Sequence, residues 1–413
     1  MSDYTTDGKG QNTMGKKLQP KLRFRGFTDA WEQRPFGKVY TRCTEKNNPI
    51  RFGVDKIITV ASMQYAPRHG CTNNEYLLTY NVMKLGDIAF EGHRNKRFPF
   101  GRFVENMIGE GIVSHVFSVY RPIVKQSSLL FLKYYINNDY VIRNMLRKST
   151  IAATMMRTLV DADLMRQTLT LPSGREQEKI GKLFVDIDNL IDAEKRKLNL
   201  LKDKKTALLR QIFDQKARFK GYTDPWEPRR LGEICSFKKG QGYSKKDTCD
   251  SGTPLLLYGQ MYTNYATAVT SADAYTTPHP HSVYSTGKEV IVPSSGETQE
   301  DIAVASAVLE PGIIYGGDIN ILTPPDYLNP VFLALTISGG PAHRRLAERA
   351  QGKTIVHLRN LDIAQVDIAL PEESEQVRIA ELFMGLDNLI DAESRKIDLL
   401  ELKKKALLQQ MFV

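Results

Sequence analysis

Two short stretches of the sequence combine residue types that enzymes use, and each lacks a part that its chemistry requires. RAQGKT at 349–354 resembles the end of a phosphate-binding P-loop, but that motif needs a glycine five residues before Gly352, where Ala347 stands. TPPDY at 323–327 resembles the aminomethyltransferase signature, in which Asn or Asp precedes two prolines and an aromatic residue, yet Thr323 stands before the prolines here. The sequence therefore offers no motif for nucleotide hydrolysis or methyl transfer.

Candidate metal ligands and nucleophiles are equally incomplete. PHPH at 278–281 is followed by no further clustered ligand, and the other histidines are scattered. SSGE at 294–297 lacks the strand and helix that surround a nucleophile elbow. The four cysteines stand far apart without a C-x-x-C pair, which favours neither a zinc knuckle nor a disulfide framework. We therefore predict no catalytic residue, no metal site and no cofactor in this chain.

The remaining chemistry lies in stretches where basic residues alternate with aromatic or amide residues. Lys and Arg can neutralise DNA phosphates, and Arg, His or Gln can reach base edges. These stretches are MQYAPRHG (63–70), EGHRNKRFPFGRF (91–103), SFKKGQGYSKKD (236–247) and RRLAERAQGK (344–353), and a solvated surface is the alternative interpretation of each. The predicted DNA-binding residues are Arg68, His69, Arg94, Lys96, Arg97, Arg102, Lys238, Lys239, Gln241, Tyr243, Lys245, Lys246, Arg344, Arg345 and Lys353.

Net charge supports DNA binding more strongly for the first half of the chain than for the second. The chain carries a formal charge of +10 and a pI near 9.2, which permits binding to a polyanion. Residues 22–170 contain 22 Lys and Arg against 12 Asp and Glu, whereas residues 219–369 contain 13 against 16. Overall charge thus favours polyanion binding in the first half only, and in the second half the argument depends on local clusters.

The sequence segments that must position these residues occur as two similar copies. LFVDIDNLIDAEKRKLNLLKDKKTALLRQIF (183–213) returns 199 residues later as LFMGLDNLIDAESRKIDLLELKKKALLQQMF (382–412). LRFRGFTDAWEQRPFGKV (22–39) likewise matches ARFKGYTDPWEPRRLGEI (217–234). Between the copies lie strand and helix patterns of divergent sequence. We therefore predict an α+β tandem repeat in which two mixed α/β domains alternate with two long helices.

Apolar residues recur in both helices at a mean spacing of 3.5, which predicts a coiled coil. Antiparallel pairing would place Glu194 opposite Lys404 and Lys205 opposite Glu393, whereas parallel pairing would oppose like charges. The alternative is that each helix packs only on its own domain. A long helix pair would hold two domains at a fixed spacing, which suits a periodic partner such as duplex DNA. The predicted helix-pairing residues are Ile187, Ile191, Glu194, Leu198, Leu201, Lys205, Leu386, Ile390, Glu393, Ile397, Leu400 and Lys404.

This layout resembles the specificity subunit of type I restriction-modification systems. The resemblance covers nearly the whole chain after the first twenty residues and is carried by the repeated helices and by LPSGREQEKIGKLF (171–184) and LPEESEQVRIAELF (370–383). It implies a non-catalytic subunit with two target recognition domains, each reading half of a bipartite site in double-stranded DNA, and a helix pair that sets the spacer. It also implies two methyltransferase subunits and restriction/translocase subunits as partners, with S-adenosylmethionine, ATP and Mg bound only by those partners. Exposed helix residues would contact the partners, namely Lys195, Arg196, Lys202, Arg395 and Lys396.

The resemblance and the repeat together set the expected boundaries. We expect a flexible N-terminal tail (1–21), recognition domain 1 (22–172), spacer helix 1 (173–216), recognition domain 2 (217–371) and spacer helix 2 (372–413). The sequence shows no signal peptide and no uninterrupted apolar run of bilayer length, so we expect a soluble, cytoplasmic protein without membrane contact. Two other hypotheses remain: a self-sufficient DNA-modifying enzyme, and a coiled-coil scaffold without DNA binding.

Overall fold

The chain folds into two compact units, and each of the two long helices contributes a part to both. The computed structural model describes residues 19–67, 74–93, 95–123, 129–153, 156–263, 265–352 and 354–413. The first unit comprises the described residues up to Ala193 together with Asp398–Val413, and the second comprises Glu194–Ile397. Among the helices described, none is both long and apolar enough to span a bilayer.

The first unit contains short strands, short helices and part of a long helix. Its described elements are β1 (Glu32–Pro35), β2 (Tyr40–Cys43), β3 (Ile58–Thr59), β4 (Gln64–Tyr65), β5 (Asn81–Met83), β6 (Ile88–Glu91), β7 (Arg102–Glu105), β8 (Gly111–Val113), β9 (Val119–Pro122), β10 (Thr150–Ala152), β11 (Arg157–Leu159), β12 (Thr168–Leu171), α1 (Asn74–Leu77), α2 (Leu129–Ile136), α3 (Asp139–Ser149), α4 (Asp161–Arg166) and α5 (Gly174–Phe213), the last shared with the second unit.

An antiparallel sheet in the order β2-β9-β6-β7 forms the centre of the first unit. Strand β7 alternates half-buried and buried residues, the period-two pattern of a strand with one face on the core. That core is aromatic: the ring of Phe36 stacks on Tyr40 at 5.0 Å and on Phe103 at 5.9 Å between centroids. Such rings each bury a large apolar area, which stabilises a unit whose strands are short.

The second unit has longer strands in its centre. Its described elements are β13 (Glu227–Arg230), β14 (Ser236–Lys239), β15 (Thr253–Leu256), β16 (Ala268–Val269), β17 (Ala274–Thr276), β18 (Tyr284–Thr286), β19 (Glu289–Pro293), β20 (Ser295–Gly296), β21 (Ser306–Val308), β22 (Pro311–Tyr315), β23 (Ile319–Thr323), β24 (Val356–His357), β25 (Asp367–Leu370), α6 (Leu231–Ile234), α7 (Gln260–Thr263), α8 (Gln299–Ile302), α9 (Pro330–Ser338), α10 (Gly340–Arg349), α11 (Asn360–Ala364) and α12 (Glu373–Gln410), the last shared with the first unit.

The centre of the second unit consists of mixed sheets in the orders β14-β23-β19-β21-β16 and β17-β15-β22-β18. Most neighbours are antiparallel, but β16 pairs with β21 and β15 with β22 in parallel. Every residue of β19, with the sequence EVIVP, is buried, as expected of a central strand rich in β-branched residues. Helices α9 and α10 meet at Gly339, which caps the end of the first helix and the start of the second.

The glutamate of each repeated LP…EQ segment forms a buried ion pair with an arginine of the same unit. Arg23 binds both carboxylate oxygens of Glu176 at 2.8 and 2.6 Å, and Arg218 binds Glu375 at 3.0 and 2.6 Å. We call these two pairs the Arg–Glu clamps. Both glutamate side chains are buried, at 1% and 0% exposure, which requires a paired charge. The glutamine after each glutamate donates to the proline carbonyl of its own Leu-Pro segment.

Antiparallel pairing of the long helices is seen inside each unit. In the first unit Lys404 of α12 binds Asp188 of α5 at 2.5 Å, and the rings of Phe184 and Phe412 lie 5.7 Å apart. In the second unit ion pairs join the helices in the same sense: Lys205 with Asp387 at 2.5 Å, Lys197 with Glu393 at 2.8 Å, and Lys396 with Glu194 at 2.6 Å.

The predicted partners within the helix pair are wrong, although the predicted direction is confirmed. Neither Glu194–Lys404 nor Lys205–Glu393 forms; each lysine binds an aspartate six residues before the predicted glutamate. A shift of about one heptad sets apolar positions against apolar positions again, so the hydrophobic pattern alone cannot choose between the two registers. The predicted positions themselves are all buried or half-buried: Ile187, Ile191, Glu194, Leu198, Leu201, Lys205, Leu386, Ile390, Glu393, Ile397, Leu400 and Lys404.

Candidate nucleic-acid interface

In the second unit the predicted lysines lie on a strand end and on the loop that follows it. Lys238 and Lys239 end strand β14 and are exposed. Lys245 and Lys246 are exposed on a 3-10 turn that is capped on both sides: Ser244 accepts from the Lys246 N–H, and the Ser244 N–H donates to Asp247 at 2.7 Å. The hydrogen bonds that Ser244 donates also lower the pKa of Asp247. The cap therefore holds two ammonium groups on a fixed turn. We call residues 236–247 the lysine loop.

The glycines of the lysine loop allow close packing within the unit. A Cβ on Gly240 would stand 2.1 Å from the carbonyl oxygen of Gly316, and one on Gly242 would stand 2.8 Å from the His279 ring. Gly242 also has a φ of +73°, which favours glycine. These contacts fix the loop against the sheet.

Tyr243 supports the lysine loop from inside. It is 5% exposed, stacks on His279 with centroids 4.4 Å apart, and shares a 2.6 Å hydrogen bond with the Ser282 hydroxyl. The sequence did not predict this burial, because the tyrosine stands among polar residues. Gln241, by contrast, is exposed.

A recess of about 830 Å³ opens beside the lysine loop, and sequence reasoning missed most of its lining. Lys245, Tyr243, Tyr258 and Gln260 border it. Tyr258 is 39% exposed, and the Gln260 side chain accepts a hydrogen bond from the Leu257 N–H, which fixes its amide. The signal that could have found these residues is LLYGQMYTNY, where exposed tyrosines flank the turn glycine Gly259. The recess combines a cation, an aromatic ring and an oriented amide.

In the first unit the described part of the basic stretch forms a turn in which arginine stacks on phenylalanine. Asn95 accepts hydrogen bonds from the N–H groups of Arg97 and Phe98, and the Arg97 guanidinium lies 5.1 Å from the Phe98 ring centroid. Lys96 and Arg97 are exposed. Arg102 is held by the protein itself, since it binds Glu91 at 2.6 Å and the carbonyl of Ala61 at 2.8 Å. Lys96 and Arg97 are therefore accessible cations, and Arg102 braces the turn.

The remaining predicted DNA-binding residues fall into two groups. Arg344 and Arg345 lie on α10, where Arg344 binds Asp214 at 3.3 Å and lowers its pKa, and Arg345 donates to the Asp367 carbonyl at 2.7 Å. Their partners are the residue that follows α5 and a residue of β25, and neither belongs to the lysine loop. Arg68, His69, Arg94 and Lys353 lie outside the described residues.

The middle of the helix pair, within the second unit, is an ionic network. Lys396 binds Glu194 at 2.6 Å and reaches Glu393 at 3.5 Å, while Lys197 binds the other oxygen of Glu393. A hydrogen bond from Glu194 and the two lysine ammonium groups lower the pKa of Glu393 to about 2. Lys396 is thus engaged inside the helix pair, whereas Arg196, Lys202 and Arg395 are exposed on the helix surface. Within the described part of the chain, no three His, Cys, Asp or Glu side chains are arranged to hold a metal.

Known proteins are similar to this chain in part of the sequence and in the fold. Residues 223–402 match the family model of the type I restriction modification DNA specificity domain. The specificity subunit of the type I restriction enzyme MjaVIII, from Methanocaldococcus jannaschii, is 22% identical over 257 residues. That match covers 58% of this chain and spans 60% of the relative's length.

Solved structures extend the likeness to nearly the whole chain. The S subunit of a type I restriction-modification system from M. genitalium superposes with a TM-score of 0.58 at 12% identity, covering 96% of this chain and 99% of that one. A structure that describes complex assembly and conformational transition of the type I R-M system gives 0.54 at 16% identity, covering 94% and 98%. The predicted α+β tandem repeat and the resemblance to type I specificity subunits are confirmed.

Proposed function

We propose that this chain is the non-catalytic DNA specificity subunit of a type I restriction-modification complex. The proposal rests on the repetition of the same set of contacts in both units. Each unit has its own Arg–Glu clamp and its own lysine–aspartate pair between the long helices. Two independently closed units with divergent surfaces suit the reading of two different half-sites in one bipartite DNA sequence.

The two units would bind DNA by different chemistry. The first carries an excess of positive charge, and its exposed Lys96 and Arg97 suit phosphate contacts. The second has more acidic than basic residues, so its contribution depends on the lysine loop and the recess beside it. There Lys245 would hold a phosphate, Tyr258 would contact a base or sugar, and the amide of Gln260 or Gln241 would reach a base edge.

The long helices would set the spacer between the half-sites and dock the methyltransferase subunits. Helices of 40 and 38 residues are about 60 Å long at 1.5 Å per residue. Their exposed arginines Arg196 and Arg395 occupy equivalent positions, so one partner surface could bind each copy. S-adenosylmethionine, ATP and Mg would belong to the methyltransferase and restriction/translocase subunits, and the complex would act on DNA in the cytoplasm.

The test is adenine methylation mapping across the genome of cells that express this chain together with a type I methyltransferase subunit, compared with cells that express the methyltransferase alone. We expect a bipartite methylated motif only where the chain is present. Absence of a new motif, with the methyltransferase shown to be present and active on other DNA, would overturn the proposal and favour a scaffold without DNA binding.

The spacer role has its own test. Inserting four residues after Leu198 lengthens α5 by about 6 Å at 1.5 Å per residue. We expect the mapped motif to keep both half-sites and to change only the number of base pairs between them. A changed half-site would contradict the proposed division of labour between units and helices.

A further inference from the structure

The recess beside the lysine loop is concave, whereas the edges of stacked bases lie inside a groove. Elements that read those edges enter the groove as a protruding helix or a two-stranded ribbon. A recess of about 830 Å³ has the opposite shape and receives a group that projects from its partner. The groups that project from DNA are the phosphates, the sugars and a base that has been turned out of the stack.

The charges that line the recess disfavour a phosphate inside it. Among the described lining residues the charged ones are Lys245, Asp273 and Asp318, so carboxylates outnumber ammonium groups. Two carboxylates repel a phosphate that comes close to both. The other lysines of the lysine loop are exposed outside the recess, where they suit the phosphates on either side of a projecting base. The interior therefore favours a base over a phosphate.

Asp318 offers a hydrogen-bond acceptor at a fixed place in the recess. It lies in the turn between β22 and β23 with a φ of +58°, a conformation that Asp adopts more readily than most residues. The turn is held on both sides, since the Gly317 N–H donates to the Tyr243 carbonyl at 2.9 Å and the Asp318 carbonyl accepts from the Ser294 N–H at 2.8 Å. Asp318 is exposed, and within the described part of the chain no donor binds its carboxylate.

A donor and an aromatic ring lie near the start of α7, on the same recess. The side-chain oxygen of Gln260 accepts from the Leu257 N–H at 2.9 Å, so the amide nitrogen remains to donate. The Tyr258 ring is 39% exposed, and every base has a π-face that can stack on such a ring. The volume is sufficient, because a cavity of about 150 Å³ already holds benzene. An acceptor, a donor and a ring are the groups that bind an extruded base by its Watson–Crick edge and its face.

We propose that the recess binds one base turned out of the DNA duplex, and that this base carries an exocyclic amine. The amine donates to the Asp318 carboxylate, a ring nitrogen or carbonyl oxygen accepts from the Gln260 amide, and the ring packs on Tyr258. Adenine, cytosine and guanine have such an amine, and thymine does not. The inference rests on the proposed DNA role and deepens it, because the second unit then reads one position of its half-site by extrusion.

The first experiment titrates nucleosides into the full chain and follows their proton NMR signals. We expect adenosine and cytidine to bind saturably with a dissociation constant of about millimolar, given their small size. Purine riboside, which is adenosine without its amine, should bind about tenfold more weakly, because it brings no donor to Asp318. Equal binding of adenosine and purine riboside, or no saturable binding of adenosine and cytidine, would overturn the proposal.

Two variants test the assigned residues. Asp318→Gly suits the positive φ and removes the carboxylate, so adenosine and purine riboside should bind this variant alike. Tyr258→Ala should weaken the binding of both nucleosides by about tenfold, because the base loses its stacking partner. Tyr327→Ala is the matched control, since Tyr327 is 51% exposed in the same unit and does not line the recess. If both recess variants bind adenosine as the native chain does, the assignment is wrong.

The second experiment asks whether the base comes from DNA. The full chain, assembled with methyltransferase subunits, is titrated with duplexes of the mapped site in which the partner of one base at a time is changed to create a mismatch. Extrusion costs least from a mismatch, so one position in a half-site should bind about tenfold more tightly than the matched duplex. This position should differ from the methylated base, which methyltransferases themselves extrude. Asp318→Gly should remove the gain.

The outcomes separate this inference from the DNA role. Nucleoside binding without any mismatch position that responds to Asp318→Gly would assign the recess to free nucleosides and overturn the proposal. A clear bipartite motif in methylation mapping, together with absent nucleoside binding, would overturn this inference alone. A missing motif would overturn the DNA role and this inference with it.

Discussion

The two units share their attachments to the long helices and differ in almost everything else. Each has an Arg–Glu clamp, a tryptophan against a phenylalanine, and a lysine–aspartate pair between the helices. Yet the first unit has a core of stacked aromatic rings, and the second a core of aliphatic strands. The parts that stayed alike are those that fix a unit on a helix. The contacts that hold each unit on the long helices are therefore more alike between the units than the residues of their interiors.

The clamps should show the largest effect when they are broken. Arg218→Met removes the cation from the buried Glu375 carboxylate and leaves it only the hydrogen bond from the Trp226 indole N–H. The loss should lower the free energy of unfolding of the second unit by about 3–5 kcal/mol. Arg23→Met should do the same to the first unit. Tryptophan fluorescence separates the two, because Trp31→Phe leaves only Trp226 as a reporter of the second unit, and Trp226→Phe leaves only Trp31.

Exposed ion pairs near each clamp provide the control. Arg229→Met removes the partner of Glu227, and Arg34→Met that of Glu32; all four side chains are about half exposed or more. Such pairs contribute at most about 1 kcal/mol. Equal destabilisation by clamp and control variants would contradict the view that the clamps hold the units on the helices.

A smaller effect is expected where the units differ at Tyr134. Tyr134→Phe removes the hydroxyl that donates to Asp188 Oδ2. That oxygen then lacks a donor, as Asp387 Oδ2 does in the second unit among the described residues. Burial, and then the hydrogen bond to Asp188, raise the pKa of Tyr134, so its hydroxyl stays protonated at neutral pH and keeps donating. Removing a hydrogen bond to a charged group should lower the free energy of unfolding by about 1.5–3 kcal/mol.

That destabilisation should appear in the Trp31 signal alone. Tyr140→Phe is the control, because Tyr140 is 69% exposed and its hydroxyl accepts from Gln409 at the surface. If both substitutions destabilise the first unit equally, Asp188 does not need its second partner, and the comparison with Asp387 would have no basis.

The sequence predicted the repeat, the order of the elements and the antiparallel direction of the helices, because these follow from local patterns. It did not predict the register of the helix pair, because a shift of one heptad still places apolar residues opposite apolar residues. The register is determined by the folded units, which contact both helices. It placed Tyr243 on the surface because its neighbours in the chain are polar, whereas His279, which buries it, is distant in sequence. The recess beside Lys245 was missed for the same reason.

The ionic network in the middle of the helix pair predicts a pH dependence confined to the second unit. The pKa of Glu393 is lowered to about 2 in the folded chain, against about 4.3 in an unfolded one. A depressed folded pKa contributes stability that is present above the unfolded value and disappears as the pH falls toward the folded value. The Trp226 transition should therefore weaken between about pH 4.5 and pH 2. Glu393→Gln should remove this part of the acid response.

Glu381→Gln is the matched control, because Glu381 is exposed on the same helix. It should leave the acid response of the second unit as it is. An unchanged response in Glu393→Gln would mean that other carboxylates govern the acid sensitivity of the helix pair.

The smallest effect, and the one that separates the two surfaces, concerns the salt dependence of DNA binding. If the first unit binds mainly phosphates, replacing Lys96 and Arg97 by Gln should reduce the slope of log K against log salt by about 0.9 for each phosphate that the variant no longer binds. The affinity should fall alike for specific and unrelated DNA. Replacing Lys245 and Gln260 by Ala should change the slope by the equivalent of one phosphate at most while relaxing the sequence preference of one half-site. Identical behaviour of the two double variants would show that the difference in charge between the units does not translate into different modes of DNA recognition.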